Sequence, residues 1–399
     1  MANSMLRTAL ILGLLSAVGP FSIDMYLPAL PLIEAELNTS VAGAQATLTA
    51  FFIAFGLSQL VYGPWADQAG RRVPLFFGIG LFLVASVGCA LAPTIGWLTL
   101  ARFVQGLGAA VVMVVPRAVI RDLHTGTQAT RLMAMIMLVI SVSPMLAPLA
   151  GSGLMLLGGW RLIFWVMVVA AVASITLSAV LLPETLRPED RVPVNLRSLR
   201  RGAGVLFRDP VFMGLTFIGG FGMASFFVFI ATAAFVYTGQ FGLSPTGFSL
   251  AFAINAIGFF AASQLAAPLG ERFGMVRVMA LAVLGFALIS CALAAVALAG
   301  YASLGVVVGM LFFANGSLGL VVPTTMVMAL DPHGEIAGLA SSLGGTMQML
   351  TGGVMIVLAG PFFDGTATPM VITIALCSLG ALGLARWILP RLMVEAAPG

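Results

Sequence analysis

The chain has 399 residues, of which 60% are hydrophobic and 8% charged, and its mean hydropathy is +1.11. A soluble domain carries about 25% charged residues, so there is too little polar surface to cover a water-soluble fold, and the chain must face lipid. The net charge of +4 comes from 18 arginines, with no lysine, against 14 acids, and its scatter over loops carries no nucleic-acid signature.

Spans of about 20 residues fit twelve times into this length. In chain order they are predicted over 6–27, 45–65, 73–92, 97–119, 132–156 and 162–182, then over 211–237, 246–269, 276–299, 304–328, 337–360 and 369–389. The first run reads as a retained helix rather than a signal peptide, because it is long, lacks a small-x-small cleavage site and carries Asp24. The only long polar stretch, 183–210, is rich in arginine, proline and acid. The fold class that follows is an all-α membrane protein of twelve transmembrane helices in two pseudo-symmetric six-helix bundles. Residues 1–182 form the first bundle, 183–210 a cytoplasmic linker and 211–399 the second.

Arginine placement orients the chain. Arg71, Arg72, Arg121, Arg131, the six arginines of the linker, Arg272, Arg277, Arg386 and Arg391 fall on the side of the N-terminus. The opposite loops hold Glu34, Glu36 and Asp364, with Arg161 the one clear arginine. The positive-inside rule then puts both termini in the cytoplasm. Cys89, Cys291 and Cys377 sit apart in apolar runs, and His124 and His333 are isolated in loops, so no metal site is expected.

An internal repeat supports the two bundles. Pro268, Glu271 and Gly274 follow Pro64, Asp67 and Gly70 by a constant 204 positions (268 − 64, 271 − 67, 274 − 70). Gln105-Gly106 and Val115-Pro116 in the fourth span are echoed by Asn315-Gly316 and Val322-Pro323 in the tenth. Parallel six-helix repeats around a midplane site are a major transporter design.

Within this frame a few polar residues stand out. Asp24 is the only acid well inside an apolar span, where a carboxylate costs at least about 2.5–3.5 kcal/mol. Such a group is suited to take a proton on one side of the membrane and release it on the other; the alternative is that it merely ends the helix near the outer headgroups. Arg102 lies inside the fourth span with Gln105 one turn on. It is expected to tune the proton affinity of Asp24, or else to belong to a structural hydrogen-bond network. Gly63, Asp67, Gly70, Arg71, Arg72, Arg121 and Asp122 form a candidate cytoplasmic gate. There Asp67 is expected to cap the helix that starts after Asp331 in the other bundle, and Arg71 or Arg121 to pair with Asp122. Pro144, Pro148 and Gly151 suggest a kinked, closely packed fifth span. Flexible and aromatic side chains suit a promiscuous cavity. Gln105, Met113, Phe229, Asn255 and Gln348 are the candidates for its wall.

With these residues in view, the chain resembles the major facilitator superfamily. Residues 63–72 resemble its cytoplasmic loop signature, 102–108 the fourth-span signature of its proton-driven antiporters, and 143–151 the fifth-span antiporter motif, except that Ser143 stands where a glycine is usual. Residues 24–31, 117–122 and 338–344 are similar to the bicyclomycin and chloramphenicol/florfenicol resistance subfamily, with Ala233 and Ala234 in place of a frequent proline. The resemblance implies a proton-coupled multidrug exporter of the bacterial cytoplasmic membrane, working by alternating access as a monomer. Its partners would be a drug-like small molecule, the proton and the lipid bilayer. No cofactor is expected, since without lysine there is no phosphate-binding G-x-x-x-x-G-K-[ST] loop, and the proton gradient would supply the energy. Export of an endogenous metabolite is the nearest alternative. A membrane enzyme is disfavoured by the lack of H-E-x-x-H and G-x-S-x-G motifs, and a receptor would usually carry a larger soluble domain.

Overall fold

The computed structural model describes residues 2–123, 126–191, 193 and 195–395, with side chains described throughout except at 2–10, 126–131, 134–135, 196 and 393–395. His124 lies outside the described residues. The fold is helical: α1 (Ala2–Asp24), α2 (Leu30–Glu36), α3 (Val41–Ala69), α4 (Arg72–Ala90), α5 (Ile95–Ala109), α6 (Val111–Leu123), α7 (Gly126–Leu181), α8 (Leu196–Arg208), α9 (Pro210–Phe235), α10 (Pro245–Phe273), α11 (Met275–Leu298), α12 (Leu304–Leu330), α13 (Ala337–Ala359) and α14 (Ala367–Glu395).

Ten apolar helical stretches among the described residues are long enough to cross a membrane. Two are double length: Ile136–Leu181 has 46 residues and Leu304–Phe362 has 59. At about 1.5 Å per residue each would far exceed a hydrocarbon core of about 30 Å. Each is broken near its middle. In α7 the break is at Gly158 and Gly159, the latter at φ 70° and ψ −174°, a conformation essentially confined to glycine. Between α12 and α13 it is the turn Asp331–Ile336, where His333 leaves helical geometry. Each double stretch is therefore two spans, and the total is twelve.

The chain divides into two compact units, Met1–Asn195 and Leu196–Gly399. The stretch expected to be a linker thus belongs partly to each. Its second half folds as α8, which packs on α9 and α13.

Each unit has the same internal plan. In the first, α3 packs along α5, α1 along α7, and α4 against both α5 and α7; in the second, α10 packs along α12, α9 along α13 and α14, and α11 against α12 and α14. The repeat seen in the sequence extends to whole helices, because α3 and α10 both have 29 residues and start and end 204 positions apart (245 − 41, 273 − 69). Ser40 caps α3 through the Gly43 amide, and Ser244 caps α10 through the Gly247 amide, both at 3.1 Å. At the other ends, Gly70 and Gly274 take φ of 90° and 85°, which explains why the repeated motif keeps glycine there.

Close approach of the paired helices rests on glycine as well. A Cβ at Gly106 would run into the main-chain oxygen of Phe51, and one at Gly319 into that of Phe259. Gly106→Ala and Gly319→Ala are each expected to cost about 1–3 kcal/mol by overpacking, read as a lower Tm of the detergent-solubilised protein. Gly80→Ala, which meets open space, is expected to leave Tm unchanged or raise it.

Candidate functional site

The helical path of the first span continues beyond its predicted end. After α1, the turn Leu27–Ala29 accommodates Pro28 in its first residues, and α2 carries the run on to Glu36. The path thus runs on for 12 residues past Asp24 (36 − 24). Asp24 therefore lies within the helical path and not at its end. It is 5% exposed. No ion pair or hydrogen bond of its carboxylate is found among the described residues.

Arg102 on α5 has no exposed surface at all. Its Nη1 donates to the main-chain oxygen of Ser22 at 3.1 Å and to Gln105 Oε1 at 2.6 Å. The guanidinium lies 4.6 Å from the ring centre of Tyr26, 4.3 Å from that of Phe51 and 6.0 Å from that of Phe164, within the range of cation–π attraction. Its Nε and Nη2 have no hydrogen-bond partner among the described residues. Gln105 extends the network by donating to Ser86 Oγ at 2.7 Å and to Met167 Sδ at 3.6 Å. Groups from α1 and the turn after it, α3, α5 and α7 thus surround one cation, and Ser86 of α4 joins through Gln105.

The expected direct influence of Arg102 on Asp24 is not realised as an ion pair. The reason is helical phase: Ser22 and Tyr26 are four residues apart and share a face, and that face meets Arg102. Asp24, two residues from each, is turned about 200° away. Arg102 instead fixes the depth and rotation of the segment that carries Asp24.

The fifth-span motif touches the same segment. A side chain at Gly151 would collide with the main chain of Met25, so this glycine lets α7 pack directly on the residue after Asp24. Pro144 and Pro148 lie inside α7. An apolar recess of about 680 Å³ opens between α1 and α7, bounded by Ser22, Met25, Phe82, Gly153 and Met167 among others.

At the α3–α4 junction a second polar cluster forms. Arg71 is 5% exposed and binds Asp122 through two parallel bonds, Nε to Oδ2 at 2.8 Å and Nη2 to Oδ1 at 3.1 Å. Its Nη1 binds Asp67 at 2.5 Å. Burial would ease the proton off Arg71, but the bonds to Asp122 and Asp67 outweigh it and hold the guanidinium charged. Of the two arginines expected to pair with Asp122, Arg71 does so, and Arg121 stands exposed. Arg72 reaches the Ala179 oxygen at 3.4 Å, and Gly63 lies within α3, one turn before Asp67.

Sequence reasoning missed the organiser of this cluster. Glu184, placed in the linker, accepts from the main-chain amides of Arg71, Arg72, Thr185 and Leu186 at 2.9, 3.1, 3.0 and 3.1 Å. It thereby caps α4 from 112 residues away, and Thr185 donates to Asp122 at 2.8 Å. The available signal was an acid and a hydroxyl set immediately after the sixth span. Gly70 leaves room for Glu184, because a Cβ there would lie 2.5 Å from its Oε2.

The cavity candidates separate. Phe229 is 1% exposed and stacks on Phe252, rings parallel and 5.4 Å apart. Asn255 is fully buried, donates to the Ala251 oxygen at 3.1 Å and accepts from Asn315 at 3.5 Å. Both are built into the packing of α9, α10 and α12. Met113 and Gln348 are half-buried, beside Gly19 and Gly219 respectively.

With this geometry in hand, comparison with known proteins is informative. The profile of the Major Facilitator Superfamily matches residues 12–356. The chain is 34% identical to the uncharacterized MFS-type transporter YdgK of Bacillus subtilis, covering 96% of each chain. It is 29% identical to the bicyclomycin resistance protein homolog of Haemophilus influenzae, covering 92% of each, and 29% identical to multidrug resistance protein D of Escherichia coli, covering 88% of this chain and 87% of that one. Among solved structures, a D-xylose–proton symporter superposes with a TM-score of 0.72 over 95% of this chain and 97% of that one; at 18% identity this likeness concerns the fold.

The Glu184 cap generates a pH test. Burial would raise its carboxyl, but the four amide bonds hold it below the ordinary value of 4.5. A folded-state value below the unfolded one gives stabilisation that is present above the ordinary carboxylate range and lost as pH falls through the folded value. Glu184→Gln is therefore expected to be about 1 kcal/mol less stable at neutral pH. Its Tm should converge with that of the wild type as the pH is lowered through and below the ordinary carboxylate range.

Proposed function

The chain belongs to the major facilitator superfamily, and we propose that within it the protein is a proton-coupled exporter of drug-like molecules that works by alternating access. The observation that carries this reading is Asp24: a carboxyl inside an apolar helical run, 5% exposed and without a partner among the described residues. No described residue pairs with its carboxylate, so its state is left to the proton and to the cargo. When ionised it attracts a cationic or polar substrate from the cytoplasmic side. A proton arriving from outside neutralises it, weakens its hold on the substrate and lets the carrier return.

The other residues support this cycle without taking part in proton transfer. Arg102 and Gln105 hold the α1 segment in place, while Gly151 allows α7 to move against it as a close-packed neighbour. The recess beside Ser22 and Met25 offers apolar surface for the uncharged part of a cargo. Asp67, half-exposed on its free side, is assigned to cap the start of α13 in the inward-closed state, so that the cluster around Arg71 acts as a gate. The arginine bias supports a bacterial cytoplasmic membrane with both termini inside. The gradient supplies the energy, and no cofactor is called for. Resistance to bicyclomycin and to multiple drugs, in the names of the relatives, supports drug-like cargo.

Proteoliposomes with an imposed pH gradient test the reading, using bicyclomycin and chloramphenicol as first substrates. The wild type is expected to move at least one of them against its concentration gradient. Asp24→Asn is expected to cut that flux by on the order of tenfold or more, and Arg102→Gln to lower both flux and Tm. Unchanged gradient-driven flux in Asp24→Asn would remove Asp24 from the coupling step.

A further inference from the structure

α8 carries a surface that the transport cycle does not use. Leu206 is fully buried, and Gly202 seats the helix on α13, where an added Cβ would lie 2.7 Å from Leu339. The outward side presents Arg200, Arg201 and Arg208, and the helix contains no acid. Two apolar side chains stand among these cations. Val205, 51% exposed, is one turn from Arg201, and Phe207, 52% exposed, is two turns from Arg200. A helix facing bulk water has no use for exposed valine and phenylalanine between arginines. At a bilayer interface the same arrangement is favourable, because the guanidinium groups reach headgroup phosphates while the apolar side chains enter the acyl boundary. α8 is held at that level, since a single residue, Asp209, separates it from the membrane helix α9.

A cavity lies at the same place. About 490 Å³ of space separates α8 from the turn Asp331–Ile336, bounded by Ser198, Arg201, Val205, His333 and Glu335 among others. That volume suits a small polar ligand. Its far wall is fixed: Asp209 Oδ1 accepts from the amides of Val211 and Phe212 at 2.7 and 3.2 Å, and Oδ2 meets His333 Nε2 at 2.8 Å.

We propose that α8 and the turn Asp331–Ile336 form a binding site for anionic phospholipid, with the headgroup phosphate held by Arg201 in the cavity. Arg200 and Arg208 contact neighbouring headgroups, and Val205 and Phe207 anchor in the acyl boundary. Naming the leaflet as cytoplasmic rests on the orientation proposed above; the lipid preference does not.

Native mass spectrometry of the purified full-length protein, titrated with phosphatidylglycerol or phosphatidylcholine, tests this. The wild type is expected to retain phosphatidylglycerol preferentially, less so as ionic strength rises. Arg200→Gln/Arg201→Gln/Arg208→Gln should weaken that retention on the order of a hundredfold, from about 1 kcal/mol per basic residue at an anionic surface. The corresponding triple lysine variant should recover most of it, and Arg272→Gln/Arg277→Gln, at the junction of α10 and α11, should leave it unchanged. Equal retention of the two lipids by the wild type, or full retention by the glutamine variant, overturns the proposal. So does displacement of the lipid by inorganic phosphate alone, which would make the cavity a site for a free anion. Labelling of Ser198→Cys by a membrane-impermeant thiol reagent from outside intact cells would overturn the leaflet and the orientation, while the lipid preference would stand or fall on the first measurement.

Discussion

Arg102 is a guanidinium with no exposed surface and no carboxylate to neutralise it among the described residues. Placing an arginine at the centre of a membrane helix costs about 2.5–3.5 kcal/mol on insertion scales. Two hydrogen bonds to a charged donor contribute about 1.5–3 kcal/mol each, and desolvated cation–π contacts up to about 2 kcal/mol or more. The bonds to Ser22 and Gln105 with the rings of Tyr26, Phe51 and Phe164 therefore suffice to offset the insertion cost. This holds only while α1, α3, α5 and α7 keep their places. The cation makes the interior of the first unit conditional on its own occupancy, and it sets where along α1 every other residue falls.

Solvating Arg102 with rings and carbonyls has a consequence for chemistry. Had Asp24 been its partner, each protonation of Asp24 would leave a buried arginine unpaired, at a cost of about 3–5 kcal/mol. The helical phase of α1 avoids that by giving Ser22 and Tyr26 to Arg102 and turning Asp24 away. Structural stability and a titratable site are thus separated on one turn of helix. Gly151 brings the kinked α7 against Met25, so any change in the bend of α7 is felt one residue from Asp24. At the α3–α4 junction the opposite choice is made: Arg71, Asp67 and Asp122 are paired outright, and Glu184 ties the sixth span to the start of α4.

Much of this was legible in one dimension, and the remainder was hidden for physical reasons. Hydropathy locates the spans because lipid imposes it on every membrane helix, and the constant offset of 204 between Asp67 and Glu271 reappears as matched lengths and caps of α3 and α10. The first span runs past its predicted end because Pro28 fits the first turn of the next helical segment. Glu184 was assigned to a linker because its partners lie 112 and 113 residues away, and no local pattern encodes that closure. α8 was overlooked because its arginines mask the stripe formed by Gly202 and Leu206. Phe229 and Asn255 attracted notice as an aromatic and an amide in apolar spans, yet in α9 and α10 those properties serve ring stacking and an amide–amide bond. Asp24 and Arg102 were conspicuous for being charged in an apolar run; the direction each faces depends on packing.

The central claim is that the occupancy of Asp24 by a proton and the binding of cargo exclude one another. It is tested most directly by adding an exported compound to the purified, weakly buffered carrier and following free protons with a pH indicator. Proton release on addition of substrate by the wild type, and none by Asp24→Asn under conditions where that variant still binds the compound, is the predicted result. Equal proton release by both proteins, or binding to the wild type with no proton released at any pH from acid to alkaline, would contradict it.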